Sequence, residues 1–146
     1  NDIRSKQFLY LFKRDDGSYE SMVQRVTRQI KSVAPEADIT IATSKSQVSS
    51  IRNQLGFDIS ISIEPYRRDT FSAIVLVAAY LHDIKRIDEN ESVVVAPVDS
   101  YVNDDFFEGE FKEDKKEFDK FIKGKKSPLP KRQGKSFFKI ILQRLL

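Results

Sequence analysis

Hydrophobic positions in the first two thirds of the chain alternate between two spacings. Met22, Val23, Val26, Ile30 and Val33 recur every three to four residues from about Ser18 onward, which predicts a helix that Pro35 stops. The segment from Asp38 to Thr43 is β-branched and alternating, so it reads as a strand. Val48, Ile51, Arg52 and Leu55 predict a short helix, with Gly56 suited to its C-terminal cap. Alternation returns from Ile59 to Ile63, a second strand. The run from Phe71 to Arg86 reads as a helix that is apolar nearly all round, hence buried on most faces. Ser92 to Ala96 is a continuous apolar run, the pattern of a strand covered on both sides.

This alternation of helix and strand predicts an α/β fold built from right-handed βαβ units around a mostly parallel sheet. Ligands of such sheets sit beyond the carboxyl ends of the strands, so the informative loops follow Thr43, Ile63 and Ala96. Further on the pattern weakens. Phe106 to Ile122 suggests a helix carrying Phe107, Phe111, Phe118, Phe121 and Ile122; Lys125 to Lys135 reads as a Pro/Lys/Gly linker. Ser136 to Leu146 is a short basic amphipathic stretch, and no internal repeat is visible.

Composition narrows the class. With 146 residues, 40% hydrophobic and 32% charged, the chain has the size and apolar content of one ordinary domain, which excludes a disordered polymer. The absence of cysteine excludes disulfides and thiolate metal sites. The longest nearly apolar run, Phe71 to Leu81, is shorter than the roughly 20 residues a membrane span needs. No signal peptide opens the chain, so a cytoplasmic location is expected. The net charge of +3 conceals a break: residues 1–106 hold 13 Lys and Arg against 16 Asp and Glu, whereas residues 107–146 hold 12 against 6. Such a break separates two segments with different roles or histories.

Three places carry candidate chemistry. Glu64-Pro-Tyr-Arg-Arg-Asp-Thr70 leaves a strand and enters a helix N-terminus, where free N–H groups and the helix dipole suit a phosphate. A carboxylate at position 64 could accept from the N1–H and exocyclic amine of guanine, a donor pair that adenine lacks. Equally, Asp69 or Thr70 could simply cap the helix, with Arg67 and Arg68 solvated. Asp99 follows a buried strand in Ala96-Pro-Val-Asp99, where one carboxylate could help hold magnesium alongside substrate phosphates, or act only as a turn residue. Lys6 offers a point charge for a phosphate, or is one surface lysine among many. His82, the only histidine, sits beside Asp83 near a helix end and suits a surface role; no glycines lie close enough for a Gly-rich phosphate loop.

Taken together, Lys6-Gln-Phe-Leu9, Glu64 to Thr70 followed by Ala73-Ile74, and Pro97-Val-Asp-Ser-Tyr-Val102 resemble the mannose-1-phosphate guanylyltransferases of the sugar-nucleotidyltransferase superfamily. The resemblance covers about residues 1–108, and the segment Glu64 to Ile74 is its most specific part. It implies a Rossmann-like nucleotidyltransferase fold, here incomplete, in which mannose 1-phosphate attacks the α-phosphorus of GTP and pyrophosphate leaves, with magnesium as cofactor. Asp99 would then hold the metal and share catalysis with Lys6, while Glu64, Pro65, Arg68, Asp69, Thr70 and Ala73 would seat the nucleotide. GTP and mannose 1-phosphate are the implied partners; no nucleic acid is expected, and a homo-oligomer stays open.

Departures from that family shape the expectation. Its Gly-rich loop, which would precede Asn1–Ser5, is absent; Ser72 replaces the usual Pro; and no later sugar-binding motif is found in residues 110–146. The expectation is therefore a partial nucleotidyltransferase domain over 1–108 with little or no turnover, followed by a Lys-rich tail over 109–146. That tail reads as a truncated or altered end, as a basic appendage whose Phe137–Leu142 would form an interfacial helix on an anionic surface, or as a stitched segment. The alternatives are a nucleotidyltransferase for another sugar 1-phosphate, or a non-catalytic protein binding anionic surfaces through the tail.

Overall fold

A computed structural model describes residues 5–65, 70–88, 92–98 and 138–143; within its elements the side chains of Thr70, Ser92 and 138–143 are not described. Strands β1 (Tyr10–Lys13) and β2 (Tyr19–Ser21) form an antiparallel hairpin. Helix α1 (Met22–Val33) follows at once, then β3 (Asp38–Ser44), α2 (Val48–Leu55) and β4 (Ser60–Glu64). Helix α3 (Thr70–Ala79) continues into a π-helical turn over Tyr80–Ile84, and β5 (Ser92–Pro97) and β6 (Phe138–Gln143) complete the order. The protein is thus mixed α/β.

The main sheet has four strands in the order β4-β3-β6-β5, and all three pairings are parallel. Strand periodicity divides its two faces. On β3, Ile39 and Ile41 join Val23, Val26, Ile30 and Ile51 in the main core, with Ile61, Val94 and Ala96 packed against it. Ala42 points to the other face, where it clusters with Val77 and Leu81 of the α3 segment. The two crossover helices, α2 and α3, therefore cover opposite faces.

Local chemistry explains the boundaries. Ser21 caps α1 through a capping box: its Oγ accepts from the Gln24 amide at 3.3 Å, and Gln24 Oε1 accepts from the Ser21 amide at 3.1 Å. Ala34 ends that helix just before Pro35, as the pattern predicted. Gly56 follows α2 with φ of +87°, a conformation costly for any residue with a Cβ, and its amide donates to Arg52 O at 2.9 Å.

Four features differ from the periodic reading. The hairpin β1–β2 has no counterpart in the periodic reading, because strands of four and three residues are too short to show a period. Helix α3 is not buried on most faces: Ala73, Val77 and Leu81 are buried, but Phe71 is 74% and Val75 50% exposed. Strand β5 has one covered face; Val93 and Val95 remain 40% and 41% exposed. In place of an interfacial helix over Phe137–Leu142, residues Phe138–Gln143 form a strand inside the sheet. The expected helix over Phe106–Ile122 and the linker over Lys125–Lys135 lie outside the described residues. Among the described residues, no helix is long and apolar enough to cross a membrane.

Candidate functional site

Strand β4 ends at Glu64, which pairs in register with Ser44, the last residue of β3. Both strands thus finish at one edge of the sheet, the carboxyl edge where parallel sheets take ligands. Pro65 follows directly on β4, and Thr70 is the first residue of α3. Between this strand end and α3 lies a cleft of about 430 Å³ lined by Glu64, Pro65, Phe71, Ser72, Ala73, Val75, Leu76 and Ala79. Its walls are mainly apolar, with the half-buried Glu64 and Ser72 supplying polar side chains. A mainly apolar cleft with a carboxylate among its lining residues can take a ring that carries N–H donors.

Three of the residues singled out from the sequence, Glu64, Pro65 and Ala73, share this cleft. Thr70 opens the helix beside it, and Arg68 and Asp69 lie outside the described residues. Lys6 does not line the cleft. It sits exposed on a short 3₁₀ turn, Lys6–Phe8. That turn is tied to the end of β3 by a polar network. Gln47 Oε1 accepts from Thr43 Oγ1 at 2.8 Å and from Gln7 Nε2 at 3.4 Å, while Gln47 Nε2 donates to Ser5 Oγ at 2.9 Å. Gln7 is buried, and its Oε1 has no hydrogen-bond partner, an acceptor left beside the carboxyl edge.

Asp99, the expected magnesium ligand, also lies outside the described residues; it follows directly on the buried Val98. Among the described residues no group of three or more His, Asp or Glu converges as a metal cage would. A magnesium ion held by one carboxylate and by substrate phosphates needs no such group. His82 is exposed, with Nδ1 2.7 Å from Asp83 Oδ1, in agreement with a surface role.

Pattern reading missed Phe71, Val75, Leu76 and Ala79 as lining residues. An unbroken apolar helix gives no polar face to mark which side stays open, so these positions read as core. Gln7 and Gln47 were missed as well, because their meeting joins residues 40 apart in the chain. Comparison of the chain with models of known protein families, with curated proteins and with solved structures found no match.

Proposed function

We propose that this chain is the nucleotide-binding part of a sugar-1-phosphate guanylyltransferase with a Rossmann-like arrangement, acting on GTP and mannose 1-phosphate. The observation that carries this reading is the meeting of Glu64, Pro65 and Ala73 in one cleft at the carboxyl end of a parallel strand. Those three residues belong to the sequence segment that resembles the guanylyltransferases most specifically. Guanine would lie against the apolar wall of Phe71, Val75 and Ala79, with its N1–H and exocyclic amine donating to Glu64. Lys6, exposed at the same edge, would place its ammonium on the phosphates, and Asp99 would hold magnesium.

The reaction forms a bond between a sugar phosphate oxygen and the α-phosphorus of GTP while the bond to pyrophosphate breaks. Little proton transfer is needed, so positioning and charge neutralisation would supply most of the rate. Magnesium, when bound, would neutralise charge on the phosphates.

Equilibrium binding of GTP, ATP and UTP in the presence of magnesium tests the reading. GTP is expected to bind about tenfold or more tightly than the other two, the value of a satisfied pair of polar contacts in a partly closed cleft. Glu64→Gln is expected to remove most of that preference while leaving the fold intact. Equal binding of all three nucleotides, or an unchanged preference in Glu64→Gln, would overturn it.

A further inference from the structure

Strand β4 forms one border of the parallel sheet. It pairs with β3 on one side, and among the described residues no strand pairs with its other side. A border strand leaves a row of backbone N–H and C=O groups open to a further strand, and proteins blunt such borders with proline, lysine or a bulge. The opposite border is blunted in this way: β5 ends in Pro97, which has no N–H to give. β4 reads Ser60-Ile-Ser-Ile-Glu64, without proline or lysine, and its register with β3 holds over all five residues with no bulge.

Strand alternation sets what each side of β4 presents. Ser62 stands beside Ala42 of β3 and is buried on the α3 side. Ile59, Ile61 and Ile63 turn to the α2 side, where the first two pack against the main core. Ile63 does not, and is 48% exposed at the border. Phe57 is 83% exposed just before the strand. Arg52 of α2 holds it there, with the guanidinium 5.9 Å from the ring centroid and Nη1 donating to the Phe57 carbonyl at 2.5 Å. An isoleucine and a phenylalanine are thus left in water next to an open ladder.

We propose that the open border of β4 is an interface with a second copy of this chain, the two β4 strands pairing antiparallel about a two-fold axis that passes through Ser62 perpendicular to the sheet. The strand's own sequence selects that partner and register. With the axis at Ser62, Ile61 lies against the partner's Ile63, Ser60 against the partner's Glu64, and Ser62 against the partner's Ser62. Apolar side chains then meet on the α2 side, and the one charge of the strand faces a hydroxyl. An axis at Ile61 would set Asp58 against the partner's Glu64, two like charges. An axis at Ile63 would set Ile61 against the partner's Pro65, which has no N–H for the ladder. Ile63 gains in this way the apolar neighbour it lacks within one chain. The cleft assigned to guanine is lined mainly by α3, on the other side of the sheet.

Analytical ultracentrifugation of the full chain without nucleotide, from about 1 μM to about 1 mM, tests this over the range in which weak and moderate association is read. A monomer–dimer equilibrium is expected, closed at the dimer because the two-fold uses the same border of both copies. Amide exchange above and below the midpoint is expected to show added protection within residues 60–64 and none within 92–97. Ile63→Lys is expected to weaken the dimer by about tenfold or more, since the two-fold sets each new charge against an isoleucine. Val95→Lys, on the other border strand and 41% exposed before the change, is expected to leave it unaltered. A monomer throughout the range, or growth beyond a dimer, would overturn the proposal. So would added protection lying outside 60–64, or a dimer undiminished by Ile63→Lys. The protection map uses the unmodified chain and answers even if the variant does not fold. With no nucleotide present, a failure of the guanine preference leaves these results untouched.

Discussion

Ser21 illustrates how much a single residue joins in this protein. Its Oγ accepts from the Gln24 amide and donates to Gln54 Oε1 at 2.6 Å, so one hydroxyl both caps α1 and ties it to the end of α2. Gln54 in turn donates from Nε2 to Phe8 O at 2.9 Å, which connects the 3₁₀ turn carrying Lys6 to the same point. Ser21 is fully buried, so removing the hydroxyl takes away the α1 cap and leaves the half-buried Gln54 amide without this donor. Ser21→Ala is expected to cost about 1–3 kcal/mol, the range of a lost cap with a buried unsatisfied partner. Urea denaturation of the variant against the parent chain measures it; a change below about 0.5 kcal/mol, the level of an ordinary surface substitution, would contradict the role given to Ser21. Parts of this were legible beforehand. Ser21 and Gln24 have the spacing of a capping box, but Gln54 is brought to them only by folding.

Elements show where periodicity is informative and where it stops. α1 has one apolar stripe, and the structure buries that stripe: Val23, Val26 and Ile30 are all in the main core. α3 has no polar face to contrast with its apolar one, so its sequence says helix without saying which side is inside. The structure buries Ala73, Val77 and Leu81 and turns Phe71 and Val75 toward the cleft and solvent. Leu81→Ala is therefore expected to cost about 2–4 kcal/mol by leaving a cavity. Val75→Ser is expected to change stability by less than about 1 kcal/mol, since its side chain is half exposed already. Thermal or urea unfolding of the two variants checks the pair, and equal losses would mean that the outward face of α3 is as well packed as its inward one. β5 teaches the same lesson. Its unbroken Val run suggests cover on both faces, whereas only Val94 and Ala96 pack into the core.

At the scale of the whole molecule the main surprise is β6. The chain leaves β5 at Pro97 and comes back about forty residues later to fill the interior position between β3 and β5. Pairings run from Asp38 with Lys139 to Ala42 with Gln143 on one side, and from Ser92 with Phe138 to Pro97 with Gln143 on the other. Without that strand, β3 and β5 have no common neighbour, and the sheet divides. Proline at Ile140 would remove a ladder donor from an interior strand, where proline is not tolerated. Ile140→Pro is expected to cost about 2–4 kcal/mol, a lost hydrogen bond plus the buried acceptor it leaves, and to broaden thermal unfolding. Amide exchange tests the cause: protection should fall in β3 and β5 together. Unchanged protection in both would show that the ladder does not depend on β6.

The sequence by itself determined the order of α1, β3, α2, β4, α3 and β5 to within a few residues at most ends. The grouping of Glu64, Pro65 and Ala73 came instead from the resemblance of their segment to the guanylyltransferases. Element order and ends were legible for a simple reason. Those are local matters of period, cap and turn chemistry, which neighbouring residues settle among themselves. Only the tertiary structure decided which face of α3 lines the cleft. It likewise set β4 at the border of the sheet and Phe138–Gln143 inside it. The reason is physical: those outcomes depend on contacts between residues far apart in the chain, and their energy appears only when the whole sheet and its covering helices have assembled.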